Sequence, residues 1–231
     1  MTEPLLAWHF CQLYQLRDGR AVPPDGEMLR HDGELIPCHA GLHASERLLD
    51  ALAYAPGPLL CRVRLSGARL PHSDDKFVSA ERTILWRFDA TDLLRTFARR
   101  CGLDVVHLWN APGVVRDYLE TGQEDLRKAA GYAAADGTIA ATYAGSAAHA
   151  AHAAADAARA AHAAGRAAAY AAAHAAGRAA VSATYAASAA YAGRASDVTA
   201  VVVVTRTEQN ARLTALVAEA AAQQGYSMDG T

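Results

Sequence analysis

The order of patterns along the chain predicts an α+β fold: a small mixed head at the N-terminus, followed by a long alanine-rich helical, coiled-coil-like region. Three observations carry this expectation. Leu59–Leu65 alternates Leu59, Cys61, Val63 and Leu65 against Leu60, Arg62 and Arg64, the period-two signature of a half-buried strand. Turn residues cluster early, at Asp18-Gly19, Pro23-Pro24-Asp25-Gly26 and His31-Asp32-Gly33. Between Ala129 and Ala195, 38 of 67 residues are alanine. The expected parts are a head over 1–110, a helical connector over 111–128, an alanine-rich stalk over 129–207, and a C-terminal amphipathic helix and tail over 208–231.

In chain order, Leu5–Leu16 reads as a strand ending in the Asp18-Gly19 hairpin turn. Glu34–Pro37 and Gly41–Ala44 are short strand candidates. Ser45 offers a hydroxyl to cap a helix over Glu46–Tyr54 with Leu48, Leu49 and Leu52 inward, and Pro56-Gly57-Pro58 ends it. Leu59–Leu65 and Phe77–Phe88 are strands. Asp89 and Thr91 cap a helix running to Arg100, with Leu93, Leu94 and Phe97 buried and Cys101-Gly102 as its stop. Helix resumes from Leu103, with Pro112 in a first turn. Thr121-Gly122-Gln123-Glu124 has the T-x-x-E form of a capping box, so another helix is expected there, broken or kinked at Asp136-Gly137.

Within the alanine tract the larger residues from Tyr132 to Tyr191 advance 59 residues in 17 steps, a mean spacing of 3.47. On a straight helix such a stripe slips by roughly 220°, so keeping it on one face requires a left-handed supercoil. Its residues are mostly Tyr, His, Arg, Ser and Asp. The expectation is that alanine faces pack closely and the stripe looks outward. Gly145, Gly165, Gly177 and Gly193 suit a β-solenoid instead, but 3.47 is not a solenoid rung. Val198–Thr207 is strand-like by propensity; a continuing helix, with the valines as a buried seam, is the preferred reading. Glu208–Gln224 is amphipathic, with Leu213, Leu216, Val217 and Ala220 on one side.

Composition excludes several function classes. Up to Lys128 the chain carries 16 basic and 18 acidic residues, and afterwards 6 of each, so no basic field exists to attract nucleic acid or an anionic membrane. Charged residues interrupt the alanine tract too often for a membrane span, and Cys11, Cys38, Cys61 and Cys101 form no CxxC pair. MTEPLLAWHF lacks the features of a secretory leader, so a cytoplasmic protein with reduced thiols is expected.

Few residues invite chemistry. His9-x-Cys11 with Cys38-His39-x-x-x-His43 contains enough thiolates and imidazoles for tetrahedral zinc, but matches no zinc spacing, and no metal is expected. His149, His152, His162 and His174 would make the stripe pH-sensitive, or simply belong to a solvated face.

The run CHAGLHASERLLDALAYAPGPLLCRVRLSG, with Asp75-Lys76 and SAERTILW beyond it, resembles an uncharacterised domain family of phage and actinobacterial proteins. Its pattern is G-[FL]-H-A-[SC], then D-[AV]-L-x-Y, a strand, Gly and D-K. The resemblance covers about residues 5–110. It implies a following repeat region, alanine-rich and helical in some relatives, ending in a segment similar to Gln209-Asn210-Ala211-Arg212-Leu213. Relatives of that kind carry Trp at many positions where Tyr and His stand here. No activity is implied. A more distant likeness is to ADP-ribosyltransferases, with His9, His43, Ser45 and Glu81 in the order of catalytic groups that would hold NAD; Ser79 stands where their second carboxylate-motif residue is expected. The leading expectation is a non-enzymatic, phage-associated assembly or binding protein of a bacterial cytoplasm. It would form a homo-oligomer through its alanine-rich helices and need no cofactor. The alternative is an NAD- or nucleotide-binding head that modifies a host target.

Overall fold

The computed structural model describes residues 3–12, 15–16, 18–72, 75–140, 178–183, 185 and 195–230. Backbone contacts divide the chain into two compact units, Met1–Ala90 with Leu213–Thr231, and Thr91–Arg212.

The first unit is built on five antiparallel strands: β1 (Leu5–Cys11), β2 (Met28–Arg30), β3 (Leu42–Ala44), β4 (Leu59–His72) and β5 (Lys76–Asp89). Their order is β1-β4-β5-β2, with β3 also on β5. The sheet does not end there. Beyond β3, the Ser45 backbone exchanges two hydrogen bonds with Trp8 of β1, at 2.8 and 3.0 Å, joining β3 back to β1. The route β1-β4-β5-β3-β1 therefore closes into a small barrel-like ring, which leaves few free edges.

Alternation along β4 sets the two faces. Leu59, Cys61, Val63 and Leu65 point inward with Ala7, Cys11, Ala44 and Ile84. The other face carries Trp8, Phe10, Leu60, Trp86 and Phe88, all buried as well. Trp86 lies nearly parallel to Tyr226 at 5.4 Å and donates its indole N–H to the Ser227 carbonyl at 2.7 Å, so the C-terminal tail covers this face. Arg62 caps the cluster, lying 4.3 Å over the Trp8 ring and bonding the Met228 carbonyl. Each buried large side chain of this kind contributes about 1.5–3 kcal/mol.

The helices of the second unit are α2 (Thr91–Val105), a 3-10 turn (Val106–Leu108), α3 (Gly113–Thr121) and α4 (Glu124–Ala140); the last helix, α5 (Ala195–Gln223), spans both units. Residues 178–183 are helical too. In α5, Leu213, Val217 and Ala221 are buried four residues apart, the inward stripe of the portion that belongs with the head.

Several local expectations fail for identifiable reasons. The first strand stops at Cys11; across the Gly19 turn Gln15 pairs with Ala21 in an isolated bridge and the Leu16 N–H donates to the Arg20 carbonyl. Glu34–Pro37 is no strand: Ile36 pairs only with Ala40 in a tight turn. Ser45 is not the cap: its backbone pairs with Trp8, and the N-cap position of α1 (Leu48–Ala53) is Arg47, two residues later, which makes no side-chain cap bond. Cys101 and Gly102 do not stop α2, since both are buried helix interior. Pro112 is the N-cap residue of α3 rather than part of its first turn. The capping box at Thr121 is not formed: its hydroxyl donates to the Asp117 carbonyl and accepts from Gln123, while Gly122, at φ 70°, ends α3 in the left-handed region. Asp136-Gly137 leaves α4 unbroken. β2, three residues between turns, was not anticipated.

Val198–Thr207 is helix, as preferred, but not a buried seam: Val203 and Val204 are 59% and 54% exposed. At the described ends of the alanine tract the two side-chain classes separate. Ala130, Ala134, Ala179, Ala180 and Ala183 are buried, whereas Tyr132, Val181 and Tyr185 are exposed. Gln209 of α5, itself buried, donates its side-chain amide to the Ala180 carbonyl at 3.0 Å. The body of the stripe, and with it the supercoil, lies outside the described residues, as do Gly145, Gly165, Gly177 and Gly193.

Candidate functional site

The densest polar constellation lies at one end of the ring, around the loop that precedes β3. Cys38 is the one non-glycine residue among the described residues with positive φ, 65°. Its N–H donates to His43 Nε2 at 3.1 Å, and Ala40 and His39 bond back to the Ile36 carbonyl, so the loop is tied at both ends. A ring nitrogen that accepts must be unprotonated. Burial, reinforced by the charges of Lys76, His9 and Arg82, brings His43 down to about 4 and keeps it so. Gly41, at φ 113°, packs so tightly on Val78 and Leu35 that a side chain there would collide with both.

The Cys38 sulfur is presented outward and meets an ammonium and an imidazole. Lys76 Nζ donates to it at 3.1 Å, and His72 Nε2 lies at 3.4 Å. Lys76 is only 9% exposed, and its ammonium sits 3.9 Å from the centre of the Tyr54 ring. Tyr54 in turn donates its hydroxyl to Asp75 at 2.5 Å, and that bond pushes the phenol up to about 12. Gly41, His43, Tyr54, Asp75 and Lys76 are all residues of the motif read from the sequence. Separated by up to 35 positions, they gather around Cys38, which opens the resembling run but precedes its G-[FL]-H-A-[SC] pattern. Strand register is responsible: β3 lies against Phe77–Ser79, which places His43 next to the start of β5 and Lys76 next to the end of β4.

A second group lies inside the ring. Arg82 is 4% exposed, donates to the His43 carbonyl at 2.7 Å, and has no acceptor for its Nε among the described residues. Cys11 and Cys61 face it, with their sulfurs 3.9 Å apart. The Cys61 thiol hydrogen-bonds to Cys11 and holds the Cys11 thiol low, helped by His9 and Arg82; the same bond and burial push Cys61 up. His9 is lowered, chiefly by burial and then by Arg82.

Of His9, His43, Ser45 and Glu81, the structure brings the first two together. His9 and His43 approach within the same electrostatic group, and Ser45 pairs with the residue next to His9. Glu81 turns the other way. It is paired with Ser66, accepts its hydroxyl at 2.8 Å and faces Arg30 at 3.6 Å, whereas the inward face of β4 carries Leu65 and Cys61. The carboxylate that the ADP-ribosyltransferase likeness needs beside the histidines is thus on the opposite face of the sheet. No group of three or more His, Cys, Asp or Glu suited to a metal ion occurs among the described residues. His149, His152, His162 and His174 lie outside them.

A family model described as a domain of unknown function (DUF7666) matches residues 19–96. The match spans β2 to the start of α2 and contains the whole Cys38 constellation, consistent with an uncharacterised domain family. No curated protein and no solved structure matches the chain. Among the described residues no helix is long and apolar enough to cross a membrane. All four cysteines are free thiols. Sequence reasoning singled out His43, named Cys38 only among candidate metal ligands, and missed His72 and Lys76 as site residues because their proximity depends on strand register rather than spacing. Lys76 in the D-K pair was the available signal.

Proposed function

We propose that the chain is a non-enzymatic assembly or binding protein, phage-associated and acting in the cytoplasm of a bacterial host. The ring-like head would be its recognition part, and the alanine-rich helices would drive formation of a homo-oligomer. The observation that supports this best is the division of labour at the described ends of the tract: buried alanines and the Gln209–Ala180 contact on one side, exposed Tyr132, Tyr185 and Val181 on the other. Small residues at helix contacts permit close packing, while Val203 and Val204, adjacent and more than half exposed on α5, are apolar surface that gains from being covered. The balanced charge of the chain favours a protein partner over nucleic acid or a membrane surface.

Sedimentation velocity of the full chain over a wide concentration range tests the reading. A sedimentation coefficient that rises with concentration, and a fall in that rise for Val203→Asp combined with Val204→Asp, is the expected result. A monomer at every concentration would overturn it.

A further inference from the structure

We propose that Cys38 is a nucleophilic thiol that exchanges with small disulfides, with His72 as the base that takes its proton and Lys76 holding charge on its sulfur. The inference is independent of the assembly reading. Four features of the structure lead to it. Cys38 is exposed, whereas Cys11, Cys61 and Cys101 are buried, so a reagent in solution meets one cysteine first. His72 Nε2, at 3.4 Å, is placed to take the thiol proton, and the Lys76 ammonium, at 3.1 Å, to hold negative charge on sulfur. Lys76 is buried and fixed by the Tyr54 ring, itself anchored on Asp75, so the ammonium does not wander. The Cys38 backbone is locked by its N–H bond to His43, which aims the sulfur outward.

The reaction class follows from what is absent around the sulfur. Among the described residues no second thiol lies beside Cys38, since the three others are buried in the strands and in α2. An internal disulfide is therefore not the product; a mixed disulfide with a small molecule is. The Cys38 thiol proton passes to His72 as the sulfur attacks one sulfur of the incoming disulfide. The incoming S–S bond breaks, the Cys38–S–S bond forms, and the departing thiolate takes up a proton. One disulfide and one thiol enter, and one mixed disulfide and one thiol leave, so electrons and protons balance without any further oxidant.

The test uses the full chain with glutathione disulfide as probe, followed by intact-mass and peptide mapping. One glutathionyl group on Cys38 is expected, formed ~10-fold faster than on an unassisted thiol under the same conditions. Cys38→Ser should abolish the adduct. Lys76→Met and, separately, His72→Gln should each slow it severalfold and shift the pH profile of the rate, while the far-ultraviolet circular dichroism spectrum stays unchanged. His72 is at the surface end of β4, so its variant carries the test if Lys76→Met fails to fold. No adduct, an adduct on another cysteine, or a rate equal to that of a free thiol and insensitive to His72→Gln would overturn the proposal.

Discussion

The head and the alanine-rich helices bury side chains in opposite ways. The head fills its interior with large residues, Trp86, Phe10, Leu60 and Leu65 among them, held by strands whose partners are distant in sequence. At the described positions of the alanine-rich part the buried residues are Ala130, Ala134, Ala179, Ala180 and Ala183, and Tyr132, Val181, Tyr185, Val203 and Val204 are exposed. A methyl group contributes about 0.8 kcal/mol when buried, so the helical part needs many contacts where the head needs few. The two regions should therefore fail differently: the head when a residue is made smaller, the helices when one is made larger.

The largest effect is expected in the head. Trp86→Ala removes a ring stacked on Phe88 and Tyr226, set edge-on to Trp8 and bonded to Ser227, and should cost about 3–5 kcal/mol in a denaturant titration. A loss below about 1 kcal/mol, the range of ordinary exposed sites, would show that the aromatic cluster is peripheral. Smaller is Gln209→Ala, which deletes the buried amide bond to Ala180 and should cost about 1 kcal/mol by the same measurement. Smallest is Tyr132→Ser: the side chain is 65% exposed, so the unfolding midpoint should hold within about 0.5 kcal/mol.

A pH experiment separates the regions in another way. His43 binds its proton less readily folded than unfolded, with an ordinary value near 6.5 and a folded one of about 4. The unfolded chain then takes up more protons in that window, so stability is complete above about 6.5 and declines as pH falls toward 4. His9, lowered as well, adds in the same direction. Replacing His43 by Gln, which keeps an acceptor for the Cys38 N–H, should flatten the decline in unfolding midpoint between these pH values. An unaltered slope would mean that His43 is not held neutral.

How much was legible depended on the range of the interaction involved. The strand at Leu59–Leu65 and the helical valines could be read because their causes are local, a period-two alternation and a propensity overridden by its helical neighbours. The closing bridge of Ser45 to Trp8 could not, because a hydroxyl before an apolar run looks like a cap whatever its backbone does. The same limit applied to the site. His43, Tyr54 and Lys76 stood out individually, but only the pairing of β3 with β5 shows that they enclose Cys38. Cys11 and Cys61, 50 residues apart, meet for the same reason, through the register of β1 on β4.

The most direct test of the contrast is the unfolding free energy of Ala180→Leu. Ala180 is 3% exposed and its carbonyl receives the Gln209 amide, so three added carbons and a branch have no room. A loss of about 1–3 kcal/mol is expected from overpacking. Unchanged or increased stability would contradict the account, because it would mean that the alanine faces are not closely packed.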